Sequence, residues 1–198
     1  GKGGVGKSTV AVNLATALQL QGKKTAIVDA DIFGPSIPKM LGLEDARPTA
    51  EGSEEKPLII PVDKDGLKVM SVGFFVQQGQ SLIWRGPMAA NAITQLFENS
   101  KWGEVDYMII DFPPGTSDIQ LTCVQKLNIS GAILVTTPQE IALEDARKAG
   151  SMFLSKGLSV KIIGVVENMS WFTPTEHPDE KYYIFGKNGG QELAAKYD

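Results

Sequence analysis

The first eight residues constrain this chain of 198 residues more than any other stretch. They read G-K-G-G-V-G-K-S and fit the phosphate-loop pattern G-x-x-x-x-G-K-[ST], with Gly1, Gly6, Lys7 and Ser8 in the required positions. In such a loop the backbone N–H groups surround the phosphates of a nucleotide, and glycine permits both the backbone angles and the close approach. The pattern therefore predicts a nucleotide site at the amino end of a helix, where the helix dipole favours an anion.

The pattern also assigns roles to side chains of the loop. Lys7 is predicted to reach the β- and γ-phosphates, and Ser8 is predicted to place its hydroxyl on Mg²⁺. Lys2 is either a solvated charge or the signature lysine of the deviant phosphate-loop class of MinD, ParA and the nitrogenase iron protein, which K-G-G-x-G-K-S-T resembles. In that class this lysine reaches the nucleotide of a partner subunit, so the resemblance implies a homodimer. The residues expected to bind the nucleotide in this stretch are Gly1, Lys2, Gly3, Gly4, Val5, Gly6, Lys7, Ser8 and Thr9.

Two predicted strands end in carboxylates. The β-branched run over residues 24–29 closes on D-A-D, and the apolar run over residues 106–111 closes on a single aspartate in the Walker B pattern. Because α/β proteins bind ligands at the carboxyl edge of the sheet, Asp29 and Asp111 are predicted to order the water shell of Mg²⁺, and Asp31 is predicted to position the attacking water. A helix cap or turn pair is the alternative for Asp29 and Asp31. This order of carboxylates disfavours reading the opening loop as a mere glycine-rich turn.

Strand and helix alternate along the rest of the chain. This alternation predicts an α/β P-loop NTPase fold with a mostly parallel sheet and helices on both faces, forming a single ATPase domain over residues 1–198. A phosphate loop ordinarily follows a buried strand, so the chain is expected to be a fragment whose preceding strand and flanking segments are absent. Further helices are predicted over 8–21, over 88–99 and from a capping box at 137–140 to 157. Further strands are predicted over 67–74, 131–136 and 159–167. Residues 44–66 are predicted to form a polar surface excursion.

Other residues near the predicted strand ends are candidates for the site. Gly115 lies in a predicted second switch loop and is expected to offer its N–H to a γ-phosphate, while residues 32–38 form a proline-stiffened first switch loop. Asn168 is either a turn former or, as we predict, a reader of adenine through its amide. Asp118 begins a helix and is also a candidate N-cap. Arg85 is a contact to phosphate or partner, or it ties down a loop, with the sequence favouring neither.

Composition excludes some classes of function. With 19 basic and 23 acidic residues the net charge is −4, which gives no support for general binding to nucleic acid or to an acidic membrane. No apolar run approaches the length of a membrane span. Cys123 is the only cysteine, so an internal disulfide is excluded, and we expect a cytoplasmic protein in which this thiol is a small core residue.

Six segments together identify a family. They are K-G-G-V-G-K-S-T, D-A-D-I-F-G-P-S-I-P-K-M, W-R-G-P-M, D-Y-M-I-I-D-F-P-P-G-T-S-D, T-T-P-Q-E-I-A-L-E-D and G-V-V-E-N-M-S, and they extend from one end of the chain to the other. Through them the chain resembles the Mrp/ApbC family of iron–sulfur cluster carrier ATPases. The resemblance implies a homodimer that hydrolyses Mg-ATP, with Lys2 neutralising charge at the partner's nucleotide, and that delivers a 4Fe–4S cluster to apoproteins or works with assembly factors.

The chain departs from the family at the cluster ligands. The family holds its cluster with a C-x-x-C pair soon after E-N-M-S, whereas residues 171–180 contain no cysteine and Cys123 lies in another segment. His177 is either a substitute ligand or a solvated side chain. The ATPase part of the family description therefore transfers better than the cluster part. The alternatives are a nucleotide-gated binding module and a MinD/ParA-like positioning ATPase without cluster carriage.

Overall fold

The computed structural model describes residues 3–53, 56–75, 86–115 and 118–197. The predictions for Gly1, Lys2 and Arg85, and the capping role of the Asp118 side chain, lie outside the described residues. The chain divides into two compact units. We call residues 1–7, 114–117 and 127–198 the loop unit, and residues 8–113 with 118–126 the carboxylate unit. The expected single domain over residues 1–198 stays a prediction.

Helices and strands alternate through the described residues, in agreement with the predicted α/β class. In chain order they are α1 (Lys7–Leu20), β1 (Thr25–Asp29), α2 (Ile37–Met40), β2 (Thr49–Ser53), β3 (Lys56–Ile60), β4 (Val62–Lys64), β5 (Leu67–Ser71), a 3₁₀ turn (Val72–Phe75), α3 (Gly86–Glu98), β6 (Tyr107–Asp111), α4 (Asp118–Lys126), β7 (Ala132–Thr136), α5 (Glu140–Phe153), β8 (Ile162–Glu167) and α6 (Gly189–Ala194).

A mixed, mostly parallel sheet organises the carboxylate unit. Its strand order is β4-β5-β1-β6, in which β1 pairs in parallel with both β5 and β6 while β4 pairs antiparallel with β5. All five residues of β1 are buried, as expected for an apolar central strand covered on both faces. Pairing places Ser71 and Asp111 on either side of Asp29, at the carboxyl ends of three neighbouring strands.

The helices around this sheet follow their sequence signals. Helix α1 ends where Gly22 adopts a left-handed φ of +79°, and the amides of Gly22 and Lys23 donate to the carbonyls of Gln19 and Leu18 in a Schellman motif. Helix α3 packs on α4. Its buried apolar residues recur at helical spacing: Ala89, Ala90, Ile93 and Leu96.

The loop unit contains a parallel β–α–β arrangement in which β7 pairs with β8 and α5 packs on β7. Helix α6 packs on β8 and α5. Its start is tied to β8 because the Glu167 carboxylate accepts the N–H of Gly190. A side chain at Gly190 would place its Cβ 2.6 Å from the Cβ of Glu167, so only glycine fits there.

Several predicted elements differ from the structure. The strand predicted over 159–167 begins at Ile162, and the helix predicted to reach 157 ends at Phe153. The proposed excursion over 44–66 is exposed along β2, as expected of a surface segment, but it forms the antiparallel hairpin β2–β3, and Ile59 of β3 bridges to Ser100. The capping box at 137–140 is wrong: α5 begins at Glu140 with Gln139 as its N-cap and no side-chain cap hydrogen bond. Thr137 is buried and lies two residues before that N-cap. The strand predicted over 67–74 ends at Ser71 and continues as the 3₁₀ turn.

Within the described residues, no helix has the length and apolar character that a membrane crossing requires.

Candidate nucleotide site

The phosphate loop lies at the amino end of α1. Gly4 and Gly6 adopt left-handed backbone angles, with φ of +80° and +88°, which glycine reaches without strain. Val5 between them is buried. Helix α1 begins at Lys7 and carries no acidic residue in its first turn, so no carboxylate of its own helix competes with an anion there. This local geometry suits a polyphosphate.

The predicted phosphate and magnesium residues lie in that first turn. Lys7 and Ser8 are half-buried, while Thr9 is exposed. The Thr9 carbonyl accepts a hydrogen bond of 2.7 Å from the Asn13 side chain one turn later. The structure therefore places these three residues consecutively at the start of α1, as the motif predicts.

The segment after β6 approaches the phosphate loop within the loop unit. A Cβ added at Gly3 would lie 4.0 Å from the Cβ of Pro114. The next residue, Gly115, is exposed and has a φ of +88°, so any other residue would be strained there. The contact of the Gly115 N–H with a γ-phosphate stays a prediction. The structure does place Pro114, the residue before it, beside the phosphate loop.

Asn168 lies on the phosphate loop. It follows the last residue of β8, and its Nδ2 donates to the Val5 carbonyl over 2.9 Å. Its Oδ1 accepts the N–H of Met169 over 3.0 Å. The predicted adenine contact is a separate role that stays a prediction.

Asp29 is the most strongly perturbed group of the carboxylate unit. Its side chain is fully buried, and it accepts hydrogen bonds from the N–H groups of Asp31 and Ile37 and from the Ser71 hydroxyl, over 3.1, 3.1 and 3.2 Å. Burial, assisted by the charge of Asp111, raises the pKa of Asp29 from 3.8 to about 7 in spite of these bonds. A buried carboxylate of this kind gains from a nearby cation.

Asp111 completes a pair of carboxylates at neighbouring strand ends. It is buried, and its backbone carbonyl accepts the N–H of Ala30, which follows Asp29. Among the described residues there is no group of three or more His, Cys, Asp or Glu side chains that could hold a metal ion. The pair therefore fits Mg²⁺ held largely by water and phosphate oxygens, which is the usual manner for this ion, better than a cage of protein ligands.

Asp31 forms a turn. Its Oδ1 accepts the N–H of Phe33 over 3.2 Å, and its carbonyl accepts the N–H of Gly34. This is the turn arrangement that the sequence left open as an alternative. The Asp31 carboxylate is half-buried, and its proposed positioning of the attacking water stays a prediction.

Sequence reasoning missed Ser71. Its hydroxyl donates to Asp29 and accepts the N–H of Gly73 over 3.0 Å, so it links the end of β5 to the carboxylate pair. The only signal in the sequence was a serine near the end of a predicted strand. Parallel pairing of that strand with β1 was needed to show that Ser71 lies opposite Asp29.

The chain does not fit a four-thiolate iron–sulfur site. Its single cysteine, Cys123, is fully buried in α4, and burial raises the pKa of its thiol to about 11. His177 is exposed, with Nδ1 3.6 Å from Oε1 of Glu180. Thiolates are the usual ligands of such clusters, so these residues supply too few.

The chain is similar in sequence to known proteins along its whole length. A family model described as ParA, NUBPL iron-transfer P-loop NTPase, matches residues 1–198. The chain is 50% identical to an iron–sulfur cluster carrier protein of Haemophilus influenzae over 100% of its own length and 52% of the relative's. It is 49% identical to one of Methanocaldococcus jannaschii, over 98% of this chain and 66% of that protein. The chain thus spans about half to two thirds of these relatives.

Solved structures show the same fold. A nucleotide-binding protein from Archaeoglobus fulgidus in complex with ADP superposes with a TM-score of 0.82 and 40% identity, covering 100% of this chain and 74% of that one. The septum site-determining protein MinD of Pyrococcus horikoshii, complexed with Mg-ADP, gives a TM-score of 0.56 at 25% identity over 84% of this chain and 66% of its own. The predicted P-loop NTPase fold class is therefore confirmed.

Proposed function

Since the chain belongs to the ParA family of NUBPL-type iron-transfer P-loop NTPases, we propose that it binds and hydrolyses Mg-ATP as a homodimer and acts in iron–sulfur cluster assembly or transfer to apoproteins. This membership is the relationship that the six sequence segments predicted. The observation that carries the proposal is the phosphate loop itself, with Gly4 and Gly6 in left-handed geometry immediately before α1.

The loop residues supply the grip on the phosphates. Backbone N–H groups of the loop and the first turn of α1 bind the β- and γ-phosphate oxygens, and Lys7 adds a charge. The Gly115 N–H contacts the γ-phosphate from the segment after β6. ADP in the Archaeoglobus relative supports a nucleotide as the ligand.

Asp29, Asp111 and Ser8 form the proposed magnesium site. The Ser8 hydroxyl would hold Mg²⁺, and Asp111 and Asp29 would order its water shell. When bound, the ion would neutralise charge on the phosphate oxygens. The raised pKa of Asp29 supports this role, because a cation relieves the cost of two neighbouring buried carboxylates.

Hydrolysis needs two further groups. Asp31 positions the lytic water, and Lys2 of the opposing subunit neutralises charge that develops in the transition state. Turnover is slow and is coupled to a change in dimer shape that loads or releases cargo. MinD of Pyrococcus horikoshii, which shares the fold and was solved with Mg-ADP, supports a magnesium nucleotide as the ligand.

Two observations bear on cluster carriage. The curated relatives are named as iron–sulfur cluster carriers, yet the single cysteine of this chain favours a second candidate. In that candidate the ATP-bound dimer recruits an assembly partner or recipient apoprotein, and hydrolysis resets it. The single, buried thiol of Cys123 suits a reducing compartment, and we therefore propose that the protein is cytoplasmic.

Lysine variants of the full-length protein test the ATPase. Lys7→Ala is expected to lose Mg-ATP binding in calorimetry, whereas Lys2→Ala keeps binding and loses phosphate release. Lys196→Ala makes the same chemical change at an exposed position and serves as the control. Equal phosphate release by wild type and both loop variants would refute the mechanism.

Two measurements separate the candidate functions. Anaerobic reconstitution with iron and sulfide, followed by an iron count, reports whether a cluster binds. A single-turnover assay with and without a candidate apoprotein shows whether turnover is intrinsic or depends on the partner. An iron-free protein whose hydrolysis occurs only once per recruitment favours the binding module.

A further inference from the structure

We propose that Asn168 is a positioning residue for the phosphate loop, which holds the loop N–H groups in their binding orientation whatever base the ligand carries. The inference deepens the proposed nucleotide binding and rests on it. It assigns to Asn168 a role in loop geometry, distinct from recognition of adenine.

The side chain of Asn168 is oriented by its own surroundings. Its backbone N–H donates to the carbonyl of Thr136 over 2.8 Å, which ties it to the end of β7. Its Oδ1 accepts the N–H of Met169, a residue held at a φ of +55°. Because the oxygen faces this N–H donor, the amide nitrogen is turned toward the Val5 carbonyl, where a donor is needed. Both contacts require the same orientation of the amide.

The bond to Val5 fixes one peptide plane of the loop. In a planar trans peptide the C=O of one residue and the N–H of the next point in opposite directions. Holding the Val5 carbonyl toward Asn168 therefore turns the N–H of Gly6 away from Asn168. That N–H belongs to the loop that the motif assigns to phosphate, so the amide sets the direction of a phosphate-binding donor without touching the phosphate.

The requirement for glycine at position 6 supports this close approach. A Cβ at Gly6 would lie 2.3 Å from Nδ2 of Asn168, well inside contact distance. At Gly4, by contrast, an added Cβ meets nothing within 4 Å. The two glycines share a left-handed φ, so the difference between them is the Asn168 amide packed against the backbone.

The test compares ligands that share phosphates and differ in base. Binding of Mg²⁺ with ATP, GTP and inorganic tripolyphosphate is measured by calorimetry on full-length wild type, Asn168→Ala and Asn168→Ser. Loss of one hydrogen bond to the loop is expected to weaken all three ligands by a similar factor, about tenfold. Ser170→Ala is the control, since the Ser170 hydroxyl donates to the Glu167 carbonyl. It should match wild type.

Hydrogen exchange separates loop positioning from general destabilisation. In nucleotide-free Asn168→Ala and Asn168→Ser, the amides of residues 4–8 should exchange about tenfold faster. The melting temperature and the exchange of β7 and α5 should stay as in wild type. Unchanged exchange of the loop amides overturns the inference. Should both variants fail to fold, the wild-type side-chain amide of Asn168 decides: slow exchange supports the bond, and exchange as fast as an exposed asparagine overturns it.

The outcomes distinguish this inference from the proposed function. If the variants lose affinity for ATP alone, with tripolyphosphate unaffected, Asn168 reads adenine and the positioning role is wrong while nucleotide binding stands. If wild type binds none of the three ligands, the proposed function fails and the inference fails with it.

Discussion

Replacement of Asp29 by asparagine should remove part of the pH dependence of stability. Asp29 has a pKa of about 7 in the folded chain against 3.8 as the reference value. Because the folded-state pKa is raised, the folded protein retains a proton that the unfolded chain has lost. The contribution of this protonated carboxyl to the free energy of unfolding is fully present below pH 4 and is lost as the pH rises through 7. An asparagine side chain does not titrate in this range, so Asp29→Asn lacks this slope.

The structure sets the magnitude. One pKa unit corresponds to about 1.4 kcal/mol, so between pH 5 and pH 8 wild type should lose about 3 kcal/mol relative to Asp29→Asn. A second effect, which does not depend on pH, lowers the free energy of unfolding of Asp29→Asn. Both oxygens of Asp29 accept N–H donors, from Asp31 and Ile37, and an amide can accept only one of them. The unpaired N–H should cost about 1–3 kcal/mol at every pH.

The assay is urea unfolding at pH 5, 6, 7 and 8 in buffer free of nucleotide and magnesium. Groups distant from position 29 titrate alike in both proteins and cancel, so the difference between the two curves reports Asp29 together with Asp111, whose charge is coupled to it. Asp45→Asn makes the same change at an exposed position and should run parallel to wild type. If Asp29→Asn also runs parallel to wild type across this range, the carboxyl does not titrate as burial predicts and the reasoning is refuted.

Two further predictions concern the loop and the buried thiol. Gly6→Ala should abolish Mg-ATP binding in calorimetry and lower the free energy of unfolding by about 1–3 kcal/mol, because the backbone angle and the Asn168 amide both exclude a Cβ. Gly157→Ala is the matched control, since an added Cβ there meets nothing within 4 Å. Binding by Gly6→Ala equal to that of the control would contradict the loop geometry. Cys123 should resist iodoacetamide at pH 8 until urea unfolds the chain, because its raised pKa keeps the folded thiol protonated. For the same reason the free energy of unfolding should fall as the pH rises above 9. Rapid labelling of the native protein, detected by mass spectrometry, would contradict the burial of this thiol.

Local signals carried much of the fold. The order of strands and helices was predictable because apolar periodicity and glycine breakers act within a few residues, as the Schellman motif at Gly22 shows. Failures occurred where tertiary contacts compete with local propensity. The polar excursion forms the β2–β3 hairpin, in which Ile59 bridges to the distant Ser100, and the buried Thr137 does not cap α5.

The sequence by itself determined the phosphate loop and which strands end in carboxylates, since both are properties of short contiguous segments. Only the tertiary structure decided which distant groups meet them. Ser71 reaches Asp29 through the parallel register of β5 and β1. Asn168 reaches Val5 across 163 positions of the chain. The physical reason is that hydrogen bonds between distant segments depend on strand register and packing, which no local pattern specifies.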